Sequence, residues 1–267
     1  MTATARALLT LAGLLGIWTP GQAQGAPSAA PRRSPCVSAT VVGRSTQGRP
    51  LWLITAARPE VLARGAPRVL VICGQHGNEP IAPRAARDIV RRLARHAAAS
   101  PSAARPDDPA AEAILSRVVT LVLPCVNPDG AARRRRANAA GVDLNRDWQA
   151  RTQPETRAVF DVFTHWQPQL VVDAHEWLPG DTHTTSSVEL PLTTDSPAQQ
   201  ALARWSSQAV ARCRQQGIYV QRTHWAPAND PRLAHRYFFS TWQVPALLYE
   251  ISPAGLAPDA VRLAAAT

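Results

Sequence analysis

The stretch VICGQHGNEP, residues 71–80, sets a histidine and a glutamate three residues apart in a glycine-rich turn directly after an apolar run. Side chains released from the end of a buried strand can converge on one ion, and His76 and Glu79 are of the types that ligate one. A second histidine, His175, ends the apolar run 169–174, and a carboxylate, Glu250, ends the run PALLY. Asn127 and Asp129 of NPDG follow a fourth run, 117–125. Two imidazoles and one carboxylate make a three-ligand set that leaves zinc an open position. Polar groups delivered by four strand ends to one edge of one sheet describe a site, not scattered surface charge.

The periodicity shows what must position these groups. Residues 39–45 and 49–57 read as strands around a Gly-containing turn, and RVLVIC, 68–73, as a strand buried on both faces at the centre of a parallel sheet. Beyond the HGNEP turn, Ile81, Ala85, Ile89, Val90 and Leu93 recur at helical spacing across 80–97, with arginines on the other face. Residues 98–109 read as a surface loop, 117–125 as the next buried strand, 154–166 as a helix opened by Pro154, and 169–177 as another strand. Ser196 and Pro197 open a long helix ending at Gly217, followed by a strand over 218–225, a helix around 231–242 and a last strand over 245–252. Strand and helix alternate, so the expected class is α/β, a mostly parallel mixed sheet flanked by helices. Its sites form at the carboxyl ends of the strands.

At 267 residues, 45% apolar and with 8 tryptophans, the chain can bury one substantial core, and one catalytic-sized domain over 36–267 is expected. The net charge of +10 comes from 29 basic residues that are all arginine, which together with the Ala and Pro excess reads as compositional bias. The one dense run, Arg133 to Arg136, has no interleaved aromatics to stack on bases, so no nucleic-acid partner is expected.

Residues 1–23 carry an uncharged apolar run, 7–18, preceded by Arg6 and followed by small residues, the form of a secretory signal cut near Ala23. The run is too short for a stable membrane anchor. Residues 24–35 read as a Pro/Ala-rich linker. The expected location is periplasmic or secreted, an oxidising compartment in which Cys36, Cys73, Cys125 and Cys213 could pair in any of three connectivities.

Taken together and in this order, HGNE, NPDG, RANAAGVDLNRDW, DAHEW and the terminal-strand glutamate resemble the zinc carboxypeptidase family. This is the funnelin group, which includes pancreatic-type carboxypeptidases, bacterial murein-peptide amidases and, more distantly, succinylglutamate desuccinylase and aspartoacylase. The resemblance covers roughly residues 50–255. It implies one zinc per chain on His76, Glu79 and His175, with Asp143 orienting a ligand histidine. It also implies that Asn145 and Arg146 hold a substrate's terminal carboxylate, that Arg136 stabilises the oxyanion and that Glu250 is the general base. The implied substrate is a peptide or small amide with a free carboxylate, cut at its C-terminal residue. The rival implied by GQHGNE is an N-acyl amino acid deacylase of the desuccinylase/aspartoacylase type, and a third reading is a binding protein on an inactive scaffold. One departure stands out. The pancreatic-type enzymes carry a mobile tyrosine some twenty residues before the catalytic glutamate, and here only Tyr237 is available, closer to Glu250. Arg232, His235 and Tyr237 are the candidates for a substrate-facing role in that region.

Overall fold

The structure, a computed structural model, describes residues 36–98, 108–177, 186–191, 197–215, 220–225 and 230–252. The expected signal peptide, the linker, Ser196, Gly217 and most of the expected 98–109 loop lie outside these residues. No helix among the described residues is long and apolar enough to cross a membrane.

Among the described residues, eight strands form one sheet: β1 (Val37–Arg44), β2 (Pro50–Ala56), β3 (Arg68–Cys73), β4 (Val119–Leu123), β5 (Leu170–Glu176), β6 (Ser186–Pro191), β7 (Val220–Trp225) and β8 (Ala246–Ile251). Their order is β1-β2-β4-β3-β5-β8-β6-β7. The central strands β4, β3, β5 and β8 run parallel to one another, as the continuous apolar runs require. Antiparallel pairing enters on both sides, where β2 meets β4 and β6 meets β8.

The helices are α1 (Pro59–Ala63), α2 (Ile81–Ala98), α3 (Pro109–Arg117), α4 (Pro128–Arg133), α5 (Pro154–Trp166), α6 (Pro197–Gln215) and α7 (Ala234–Trp242). Alternate residues of one strand enter opposite cores, as a period of two demands. Val69, Val122 and Val172 pack with residues of α2, α3 and α6. Leu70, Leu121 and Val171 pack with α5, α7 and Trp148 on the other face.

Helices α1 and α4 stand where the sequence reading gave no element, and two further elements correct it. Pro109, placed in the surface loop, opens α3, because Asp108 caps it by accepting from the Ala111 backbone N–H at 2.9 Å. Residues 186–191, given no element, form β6 and fill the place between β7 and β8. None of the four cysteines forms a disulfide.

Candidate metal centre and cleft

The turn after β3 is built for close approach. Gly74 takes a left-handed φ of +66°, and a Cβ on Gly77 would stand 2.0 Å from the Gly130 carbonyl carbon. The HGNE turn therefore lies backbone to backbone on NPDG. Asn127 and Asp129 serve that contact and do not face the cleft. Asn127 caps α4, accepting from Gly130 N–H at 2.8 Å and donating to the carbonyls of Gln75 and Arg136. Asp129 is buried and receives Ser45, the Gln47 N–H and Arg49 of the β1–β2 turn.

That turn brings His76 and Glu79 to His175 at the end of β5, and all three are buried. The Nδ1 atoms of the two histidines lie 3.1 Å apart. Glu79 spans them, Oε1 at 2.6 Å from His76 Nδ1 and Oε2 at 2.9 Å from His175 Nδ1. Each imidazole turns its other nitrogen to a second carboxylate, His76 Nε2 to Asp143 at 2.9 Å and His175 Nε2 to Asp173 at 3.0 Å. With an N–H on each Nε2, both Nδ1 lone pairs and the Glu79 oxygens point into one small space. Three acceptors facing one another require a cation, so the donor set fits zinc.

Before a cation is bound, ring protons take its place between the two imidazoles and Glu79. Burial opposes ionisation of Glu79, but the hydrogen bonds from His175 and His76 outweigh it and hold the carboxyl at about 2. Burial also works against a charged His175, yet Asp173 and Glu79 move its pKa well above the ordinary imidazole value. Glu250 behaves oppositely: burial first, with Glu79, Asp173 and Glu189 adding to it against His175, pushes it up to about 8.

A cleft of about 340 Å³ opens over the cluster, lined among others by Arg136, Asn145, Arg146, Glu176 and Glu250. All the residues to which the family resemblance gives a role line it except Asp143, which stands behind His76. Arg136 donates from Nε to Asp143 at 3.0 Å and lies 3.4 Å from Glu79 through one terminal nitrogen. Asn145 is held at one end of its amide, with Oδ1 accepting from Ala234 N–H at 2.8 Å, and its Nδ2 stands 3.1 Å from His175 Nε2. Arg146 is exposed and donates to the Asn145 carbonyl.

Of the candidates before β8, only His235 lines the cleft, where Leu233 and Arg236 join it. Tyr237 is buried among Trp148, Phe160 and Phe238 with its hydroxyl accepting from Arg151, and Arg232 pairs with Asp230. The sequence reading missed Asp173, Gln75 and Glu176, and named His235 without its contact to Asp173. For Asp173 a signal existed, a lone charge inside the apolar run LVVDAH.

A family model described as zinc carboxypeptidase matches residues 28–224. The chain belongs to the zinc carboxypeptidase family. Glu250 lies beyond the matched residues. Carboxypeptidase SOL1 of Arabidopsis thaliana is 33% identical over 128 residues, 44% of this chain and 24% of that protein. The crystal structure of a metallo-carboxypeptidase from Burkholderia cenocepacia superposes with a TM-score of 0.67 at 26% identity, covering 87% of this chain and 64% of that one. A murein-tripeptide amidase of Escherichia coli O157, at 20% identity and a TM-score of 0.51 over 85% of this chain and 90% of that one, shares the fold. The chain thus spans about a quarter of the plant relative's length and less than two thirds of the Burkholderia chain.

Proposed function

We propose that this protein is a zinc-dependent carboxypeptidase that hydrolyses the C-terminal residue of a peptide, peptidoglycan-like peptides included. The observation that carries this reading is the placement of Glu250 in the same cleft as a buried His76/Glu79/His175 cluster. A binding protein has no chemical use for a desolvated carboxylate at that point. The carboxypeptidase matches favour this substrate class over N-acyl amino acids.

Zinc, held by His76, Glu79 and His175, supplies Lewis-acid charge that polarises a scissile carbonyl and acidifies water. Glu250 takes the proton of the attacking water and returns it to the departing nitrogen, a task suited to a carboxyl whose proton affinity burial raises. Arg136 is oriented by Asp143 and reaches the cleft edge, where its charge opposes a developing oxyanion. The terminal carboxylate goes to Arg146, whose planar fork matches it. Asn145, whose Oδ1 is held by the Ala234 N–H, joins that contact through its Nδ2. Export is part of the proposal and rests on the apolar run 7–18. The deciding experiment is metal analysis joined to a substrate panel: one equivalent of zinc and release of a free C-terminal amino acid support the reading. Zinc-loaded protein that cleaves only N-acyl amino acids would move it to the deacylase class.

A further inference from the structure

We propose that Asp173 is the positioning residue that aims His175 at the metal, and that His235 holds Asp173 in that task. This rests on the reading that His76, Glu79 and His175 hold zinc. Strand alternation puts Asp173 and His175, two apart on β5, on the same face of the sheet. Asp173 is fully buried, so its carboxylate must find donors inside the protein. It meets three. Gln75 Nε2 lies 2.6 Å from Oδ1, His175 Nε2 lies 3.0 Å from the same oxygen, and His235 Nδ1 lies 3.1 Å from Oδ2.

The orientation of the neighbouring amides can be read without ambiguity. Gln75 Oε1 accepts from Trp148 Nε1 at 2.7 Å, and an indole N–H only donates, so Gln75 presents NH₂ to Asp173. Asn145 Oδ1 accepts from the Ala234 backbone N–H, so Asn145 presents NH₂ toward His175 Nε2 at 3.1 Å. His175 Nε2 therefore faces two amide donors and one carboxylate. A bare Nε2 would accept from an amide and leave the ring proton on Nδ1, on the metal side. A protonated Nε2 donates to Asp173 and turns the Nδ1 lone pair toward Glu79 and His76. A buried, acceptor-only carboxylate selects the second tautomer.

This arm mirrors Asp143 behind His76 but differs in its support. Asp143 is steadied by Arg136 from the 134–143 loop, whereas Asp173 is steadied by His235 in the first turn of α7. The same turn bonds Asn145 through Ala234. The start of α7 is thus tied to the metal site at two points, and removing His235 should be felt as lost metal affinity.

Zinc affinity, measured by chelator competition on purified full-length protein, tests the assignment, with nitrogen NMR of His175 reporting its tautomer. Asp173→Asn is expected to weaken zinc binding by roughly 10–100-fold, as is the reference variant Asp143→Asn. A His175 Nε2–H signature is expected in wild type and should be lost in Asp173→Asn. His235→Asn puts an amide nitrogen where the ring's Nδ1 stands and should retain affinity, while His235→Gln should not. A merely structural role would lower Tm in both His235 variants without separating them in zinc affinity. A folded Asp173→Asn that binds zinc within about twofold of wild type overturns the proposal. If Asp173→Asn does not fold, equal zinc affinity in the two His235 variants, or an Nδ1–H tautomer in wild type, overturns it instead. Wild-type protein that takes up no zinc would overturn the metal reading itself, a separate result.

Discussion

His175 and Glu250 are register partners on the neighbouring parallel strands β5 and β8, so the metal-facing imidazole and the proposed base project side by side from one face of the sheet. Backbone hydrogen bonds fix that relationship and leave little for loops to decide. Glu250→Gln keeps the shape and removes the base. Zinc content and substrate binding should survive while kcat falls by roughly two to four orders of magnitude. Steady-state kinetics with metal analysis on the same preparation checks it, and a wild-type rate would place the proton transfer elsewhere.

The ligand set predicts its own failure. His76→Ala or His175→Ala leaves two protein donors where three converge, so the purified variant should carry far less than the one equivalent expected of wild type. Activity should fall with it. Elemental analysis before and after dialysis against zinc measures both, and either variant holding a full equivalent would exclude this cluster as the metal site.

How much of this was legible in the sequence depends on how local the cause was. His76, Glu79, His175 and Glu250 stood out because each follows a continuous apolar run, and such a run means a central parallel strand whose end carries the site. Asn127 and Asp129 met the same criterion and yet are consumed by the α4 cap and the β1–β2 turn, since a strand end supplies groups to its neighbours as well as to a cleft. Helix α3 was hidden because Pro109 and the alanines resemble the preceding loop, and only Asp108 marks its start. The Asp173–His235 contact joins residues 62 apart, and no spacing rule reaches that far.

Gly77 should tolerate no side chain. An alanine Cβ there would meet Gly130 carbon at 2.0 Å and the Ala131 nitrogen at 2.2 Å, both backbone atoms that cannot swing away. Gly77→Ala is expected to cost about 1–3 kcal/mol of stability by forcing the two turns apart. Because His76 is the adjacent residue, zinc affinity should drop as well. Thermal melts of the metal-free protein, with zinc titration, separate the two effects; a wild-type Tm would mean that the turns are not in contact.

Asp147 gives a pH-dependent prediction away from the metal. It is buried beside the turn carrying Asn145 and Arg146, and it accepts from Thr152 N–H and hydroxyl, Gln153 N–H and the Thr156 hydroxyl, at 2.5–2.9 Å. Burial opposes its ionisation, but these bonds, Thr152 first, win and lower its pKa from the ordinary 3.8. A carboxyl depressed on folding contributes stability that is present above the unfolded pKa and lost as pH falls through the folded one. Asp147→Asn should therefore cost about 1–3 kcal/mol at neutral pH, with the gap from wild type narrowing below about pH 4. Denaturant melts across pH 3–7 read this directly, and a gap constant with pH would remove the charge from the account.

Substrate selection is expected to turn on Arg146. Its exposed guanidinium lies at the cleft while Arg136 is held by Asp143, so the two arginines have separable duties, one toward the substrate's terminal carboxylate and one toward the reacting carbonyl. A C-terminal amide replaces the carboxylate with a neutral group and forfeits a charge-assisted bidentate contact, about 1.5–3 kcal/mol per charged hydrogen bond. The free acid should therefore be cleaved at least roughly tenfold faster than its amide in kcat/KM. Arg146→Ala should act mainly on KM and erase the difference between acid and amide, because a contact made equally in ground and transition states lowers KM alone. Arg136→Ala should act mainly on kcat and leave that difference intact. Equal rates on acid and amide in the wild-type enzyme would refute the clamp, and an effect of Arg136→Ala confined to KM would reverse the two assignments.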